Sequence, residues 1–459
     1  MSKSLLQDQL EACAAARYPL HMPGHKRRVL PAEGLGCAAW DTTEVPGTDD
    51  LHDADGILAE AMARAAALWG SRRCWFLVGG STCGLLAAIR AAAFYGSEIL
   101  CARNCHKSVY HAIELGGLRP VWLTPPVDED FGVYGSISPA MVADALAAHP
   151  GAACVVLTSP TYEGVLSDLA AIADLCHAKG IPLVVDEAHG AHYMPAAAPH
   201  GWQGGAVSAG ADLVVQSAHK TLPSLTQTAL LHLNGEIIDP DEVERQLDVF
   251  ETSSPSYPLM VRLDGCCTQM AQDGPALFAA WRARLDRFSA AVAPLRHLRV
   301  LCHGTDTLTA HPGFFAHDSG KILVNGAAAG LTGADMARML REDCGFEIEM
   351  ACAHNLLAMD AQADAAPVPP APGLCPPGEG VLTIAEAVRR PREERPVPET
   401  EGRVCAEYVW AYPPGMPLIT PGEQVTPAFL TACTALEKAG TALHHTVART
   451  PGCLAVCDT

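Results

Sequence analysis

From about Ile57 to Asp264 the chain alternates between short apolar runs and Ala- and Leu-rich stretches. Cys74–Val78 predicts a strand, and the stretch after it carries Leu85, Leu86 and Ile89 at helical spacing. Ile99–Leu100 and Cys154–Leu157 are further strand candidates. Leu169, Ile172, Ala173 and Cys176 lie three, four and seven positions apart, which is one face of a helix. Ile181–Val185 and Leu213–Val215 predict two more strands. Strands alternating with helices imply βαβ units, an α/β fold and a mostly parallel sheet covered on both faces. Before this region Pro, Gly and Asp punctuate PLHMPGHKRR and EVPGTDDLHDADG, so an irregular arm of loops is expected up to Gly56. After it, Pro275–Ala293 reads as a helix with proline at its first position. Val300–Leu308 and Lys321–Val324 are expected to hold strands of a smaller α+β unit. Pro367–Pro372 predicts a loop, Tyr412–Gly422 is too proline-rich for regular structure, and Pro427–Lys438 predicts a last helix. The expected division is an arm over 1–56, a major domain over 57–264, and a linker helix with a small domain over 265–459.

Composition narrows the classes. Hydrophobic residues make up 49% and charged residues 18% of 459, a globular balance. A net charge of −20 disfavours nucleic acid and anionic membranes as partners. No run approaches the ~20 apolar residues of a membrane span, and the N-terminus lacks a secretory core. The 18 cysteines are scattered, with one adjacent pair and no CxxC. A cytosolic protein whose thiols are small core hydrophobes is expected.

Four polar segments begin where apolar runs stop: VGGSTCG (Val78–Gly84), RNCHKS (Arg103–Ser108), VVDEAHGAH (Val184–His192) and QSAHKTLPSLTQ (Gln216–Gln227). Ligands of parallel α/β sheets bind at the carboxyl ends of strands, so the four are expected along one edge. Gly79-Gly80-Ser81-Thr82, between strand and helix, suits a phosphate, although Ser or Thr there is also an ordinary N-cap. It is not a Walker loop, because the spaced glycines and lysine are absent. Asp186 after a buried strand either caps the next turn or serves as counter-ion to a protonated ring nitrogen. Asp186, His189 and His192 lack the helical spacing of common zinc motifs, so no metal is expected. A lone lysine is usually a solvated surface residue. Lys220 in Ser217-Ala218-His219-Lys220 instead suits a Schiff base. Hydroxyl turn, His106, Asp186 and then Lys220, 34 positions later, are the inventory of a pyridoxal phosphate enzyme.

The segments HMPGHK, PGTDDLHDADG, FLVGGST, RNCHKSV, SPTYEG, VDEAHGAH, QSAHKTLPSLTQ, ETSSPSYPLM, GRVCAEYV and YPPGMPLITPGE resemble the bacterial ornithine/lysine/arginine decarboxylases. The likeness spans nearly the whole chain and is weakest between Val300 and Val388. It implies the fold type I, aspartate aminotransferase-like architecture, with pyridoxal 5'-phosphate as cofactor. It further implies that Lys220 carries the cofactor, Asp186 keeps its ring nitrogen protonated, and His106 stacks on one ring face with Ala188 against the other. Gly80, Ser81, Thr82, His189, Ser217 and His219 would line the phosphate and the lysine. Thr252–Tyr257 would reach a neighbouring subunit's site, making a homodimer the smallest competent unit. With HMPGHK beginning at His21, the short form without an N-terminal wing is expected. The chain departs from the family at Ala218, where many members have threonine, and at Thr221-Leu222-Pro223, which is less apolar than in larger members.

The activity so implied is decarboxylation of lysine, ornithine or arginine to cadaverine, putrescine or agmatine, with Lys220, His219 and Asp186 as catalytic groups. His219 and the Lys220 amine are both candidates for reprotonating the product. An aminotransferase or carbon–carbon lyase on the same fold is the alternative. It needs an arginine clamp on the substrate carboxylate, and Arg262 and Arg403 are the first to inspect. A non-catalytic cofactor- or amine-binding protein is the third reading. Six carboxylates and no Lys or Arg lie between Asp41 and Asp55, either a solvated loop or a mouth that steers a cationic substrate.

Overall fold

The computed structural model of the chain describes residues 4–16, 39–94, 96–302, 311–344, 346, 348–352, 355–360, 378–411, 417–438 and 443–457. They divide into two compact units, one from 1–94 with 169–283 and one from 95–168 with 284–459. HMPGHK and the Pro367–Pro372 stretch lie outside the described residues.

In the first unit, strand Leu183–Asp186 runs parallel to Leu213–Gln216. Ala229–Leu233 pairs antiparallel with Leu213–Gln216 on one side and with Arg73–Leu77 on the other. Two reversals leave Arg73–Leu77 pointing the same way as the parallel pair, so the carboxyl ends of all three share one edge. The side chains of Leu183–Asp186, Leu213–Gln216 and Ala229–Leu233 are buried throughout, which is why these runs are mostly apolar. Helix Gly80–Ala92 covers this sheet, and Gly84 permits the contact: a Cβ there would sit 2.4 Å from Leu77. Helix Leu169–His177 buries Leu169, Ile172, Ala173 and Cys176, the face its spacing predicts.

Two expectations fail here. The arm before Gly56 contains a helix, Leu5–Ala16. Its Ala- and Leu-rich sequence has strong helix propensity, and Leu6 and Leu10 are buried. Pro275 does not start a helix but lies inside one that runs from Tyr257 to Val292. The helix continues because its buried stripe does: Met260, Leu263, Cys267 and Met270 lead on to Phe278, Trp281 and Leu285. Trp281 stacks on Trp202 with centroids 4.2 Å apart, an anchorage that offsets the hydrogen bond proline deletes.

In the second unit, Glu98–Ala102 lies between Arg119–Leu123 and Val155–Thr158, parallel to both, and helix Lys107–Gly116 makes the crossover. Arg299–Leu301, Lys321–Asn325, Asn355–Met359 and Met350–Cys352 form a separate antiparallel sheet. Of the expected Val300–Leu308 strand only the part to Leu301 is a described strand, and 303–308 lie outside the described residues. The proline-rich tail is not wholly irregular. Pro417–Ile419 pairs with Val409–Ala411, with the proline at the strand's first position, where its missing donor is tolerated. Helix Pro427–Lys438 forms as its pattern predicts. Among the described residues, no helix is long and apolar enough to cross a membrane. Most described cysteines are buried and Cys344 is exposed.

Candidate active site

Within the first unit, three of the four polar segments meet at the shared carboxyl edge. Asp186 ends one strand, Ser217 follows the next, and Gly79–Ser81 follows the third. Ser217 begins the short helix Ala218–Thr221 without capping it, because its hydroxyl donates to Ser81 Oγ at 2.9 Å. That helix carries Lys220, whose Nζ lies 3.0 Å from His189 Nε2. Asp186 is fully buried, and its Oδ1 accepts the Ala188 N–H at 3.1 Å. Burial pushes its carboxyl above the usual range, while the Lys220 ammonium and the Ala188 N–H pull it down; burial prevails. Lys220 and Asp186 therefore act on each other electrostatically.

His219 Nδ1 lies 2.9 Å from the Thr228 carbonyl oxygen, so Nδ1 must carry the hydrogen and donate it. Burial, opposed by that bond and joined by the Lys220 charge, lowers the His219 pKa. The ring is neutral at pH 7, with a bare lone pair on Nε2. Thr228 comes to this edge because strand Ala229–Leu233 starts there, running opposite to its neighbours. Gly80 has φ +78°, a left-handed conformation that admits the turn from strand to helix. Ser81 is half-buried and Thr82 exposed at the start of the helix. Ala188 and His189 are buried. His106 belongs to the second unit, where it caps helix Lys107–Gly116 by accepting the Ser108 N–H at 3.3 Å on Nδ1.

Other expected groups have their own places. Arg262 is exposed, with its guanidinium 5.4 Å over the Trp40 ring. Arg403 donates to Glu393 at 3.0 Å and to the Cys457 carbonyl at 3.2 Å. In the acidic loop, Asp49 is structural. Its carboxylate accepts the N–H groups of Asp50, Asp55, Gly56 and Leu58, and these bonds outweigh burial and lower its pKa. Tyr257 donates its hydroxyl to the Asp49 carbonyl at 2.5 Å, joining the loop to the end of the Thr252–Tyr257 segment.

Sequence reasoning missed a buried chain beside Asp186. Ser71 Oγ lies 3.0 Å from His232 Nδ1, and His232 Nε2 lies 3.2 Å from Gln216 Oε1. Gln216 Nε2 donates to Glu187 Oε2 at 2.7 Å, and the Ala206 N–H donates to Oε1 at 2.7 Å. Burial lowers His232 to about 3, so it stays neutral, and raises Glu187 to about 8. A histidine inside the apolar run ALLHL was the available signal. Because Glu187 keeps its proton to higher pH when folded than when unfolded, its stabilising contribution is complete below about 4.5 and falls as pH rises toward 8. Glu187→Gln is expected to melt higher relative to the native chain at pH 8 than at pH 5. A gap in Tm that stays constant between the two would mean that Glu187 ionises like an exposed carboxylate.

The cluster offers an amine 3.0 Å from an imidazole, and a buried carboxylate, next to a helix start with glycines and hydroxyls. Such an amine can bond covalently to a carbonyl carbon, the carboxylate can hold a cationic ring nitrogen, and the helix start can receive a phosphate.

Residues 36–300 match the family described as Orn/Lys/Arg decarboxylase, major domain, and 382–445 match its C-terminal domain. The arginine decarboxylase of Bacillus subtilis is 30% identical over 461 residues, covering 90% of this chain and 89% of that protein. The uncharacterized protein YaaO of the same organism is 41% identical over 270 residues, which are 58% of this chain and 56% of that protein. The constitutive lysine decarboxylase of E. coli superposes with a TM-score of 0.79 at 20% identity, covering 99% of this chain and 82% of that one. That likeness is one of fold.

Proposed function

The chain belongs to the Orn/Lys/Arg decarboxylase family and decarboxylates a basic amino acid; we infer that it does so with pyridoxal 5'-phosphate held by Lys220, and that arginine is its preferred substrate. The observation that carries the cofactor assignment is the Lys220 amine, 3.0 Å from His189 and electrostatically linked to buried Asp186 at the strand edge. The residues fit the group. A buried carboxylate whose pKa burial raises needs a cationic partner, and a pyridinium nitrogen is one. Gly80, Ser81 and Thr82, with Ser217 bound to Ser81, would hold the phosphate. Arginine is favoured because the relative matched along nine-tenths of the chain carries that activity in its name.

When bound, pyridoxal 5'-phosphate would supply an electron sink for the pair that departing CO₂ leaves behind. The chain's own groups do the rest. Asp186 would hold a proton on the ring nitrogen. His189 accepts a hydrogen bond from Lys220 Nζ and orients it. Lys220 returns a proton to the substrate's α-carbon, because neutral His219 presents only a lone pair at Nε2. Ala188, buried beside Asp186, would pack against the cofactor's ring. His219→Gln is accordingly expected to leave the ratio of carbonyl side-product to amine unchanged; a rise in that ratio would return the proton to His219.

The reading includes a cytoplasmic homodimer in which Thr252–Tyr257 contributes to the neighbouring site. It also keeps the division into an arm over 1–56, a cofactor-binding domain over 57–264 and a C-terminal region over 265–459. One incubation of the holo-protein with arginine, lysine and ornithine tests the reaction, with CO₂ and amines measured together. Agmatine in excess is expected. Keto acid without CO₂ would establish the aminotransferase alternative, and cofactor binding with no product from any of the three would establish a binding protein.

A further inference from the structure

The helix that starts at Gly80 leaves the N–H groups of Gly79, Gly80, Ser81 and Thr82 without intrahelical partners. One of the four is taken from behind. Glu251, buried 171 positions after Gly80, places Oε2 2.9 Å from the Gly79 nitrogen and 3.0 Å from that of Val78. The Cys83 thiol donates to the same oxygen at 3.1 Å. The other oxygen, Oε1, accepts the N–H of Thr252 at 2.9 Å. Gly79 leaves just enough room, since a Cβ there would come within 2.7 Å of Oε1. On its far side, Thr252 presents its carbonyl to His52 Nε2 at 2.8 Å.

We propose that Glu251 is a positioning residue that fixes the phosphate turn and the Thr252–Tyr257 segment to one another, so that binding the cofactor's phosphate orders both. The inference rests on the pyridoxal phosphate reading above. The reason for a carboxylate is its two acceptor oxygens. All four groups facing Glu251 are donors, two from the turn, one from the helix and one from the segment. With Val78 and Gly79 held from behind, the N–H groups of Gly80, Ser81 and Thr82 are left to face a phosphate, three donors for a group with three terminal oxygens. Glutamine has the same shape but one acceptor atom, so it must turn an amide hydrogen toward either the turn or Thr252 and release that side. As a bare charge, Glu251 would repel a phosphate. The two roles therefore predict opposite signs for the same substitution, which makes the experiment decisive.

The test uses the full chain stripped of cofactor, titrated with pyridoxal 5'-phosphate and, separately, with pyridoxal. Glu251→Gln is expected to weaken pyridoxal 5'-phosphate binding about tenfold or more and to leave pyridoxal binding unchanged. Unchanged or tighter binding of the phosphorylated form, or equal weakening of both, would overturn the proposal. If the variant does not fold, hydrogen exchange on the native chain decides. Adding pyridoxal 5'-phosphate should slow exchange at Thr252–Ser254 together with Gly80–Thr82, and protection confined to the turn would overturn the coupling. A native chain that binds no pyridoxal 5'-phosphate sinks both this proposal and the cofactor reading, whereas native binding that Glu251→Gln leaves intact sinks this proposal alone.

Discussion

Lys220→Ala is expected to lose the borohydride-trapped lysine adduct altogether and to lower kcat by at least ~10²–10⁴-fold, the range that lost proton transfer alone commands. Lys220 sits on a single turn of helix, Ala218–Thr221, held at its start by Ser217 on Ser81 and through His219 on the Thr228 carbonyl. Its Nζ is the one amine that the described geometry brings to His189 and under the influence of Asp186. Alanine removes the covalent attachment point and the proton donor together. It is also a good helix former, so the turn that carries it should survive. The expected result is thus a folded protein that still binds pyridoxal 5'-phosphate through the helix start, but weakly and without a covalent link. Peptide mapping after reduction checks the attachment, and CO₂ release checks the rate. An adduct that persists on another lysine with turnover near that of the native chain would remove Lys220 from the mechanism.

What could be read beforehand depended on range. Strands such as Leu213–Gln216 and the helix over Leu169–His177 declare themselves because burial writes its period directly into neighbouring positions. Asp186, Ser217 and Lys220 were legible for a related reason: each follows an apolar run, and strand ends in this architecture are where ligands bind. Features decided by distant partners left no local trace. Nothing near Pro275 says that Trp281 will stack on Trp202 and hold a helix through the proline. Glu251 reads as an ordinary helix-end carboxylate until Val78 and Gly79, more than 170 positions earlier, arrive against it. Gln227 is similar: its backbone takes φ +85°, strained for a residue with a Cβ, while its side chain donates to the Val78 carbonyl at 2.5 Å. Glu187 stood in plain view beside Asp186, but its partner Gln216 comes from the neighbouring strand, and only the parallel register places it there.

Asp186→Asn should separate chemistry from stability more sharply than any other substitution in the site. Asparagine keeps the shape and can still accept the Ala188 N–H at the Oδ1 position, so local structure should hold. What it loses is the charge that keeps a proton on the ring nitrogen. A preorganised electrostatic partner of this kind is worth on the order of 10²–10³ in rate, and kcat should fall by that factor. Stability should move the other way. Burial raises the Asp186 pKa above its unfolded value despite Lys220, so the unfolded chain releases this proton first as pH rises, and the folded state loses stability through that window. Asparagine has no proton to release. The cofactor-free variant is therefore expected to melt at or above the native temperature at pH 7, while the cofactor-loaded variant is slow. A kcat near that of the native chain would show that Asp186 is only a turn cap. A lowered Tm accompanying the lowered kcat would show that the lost activity reflects a damaged fold and says nothing about the proton.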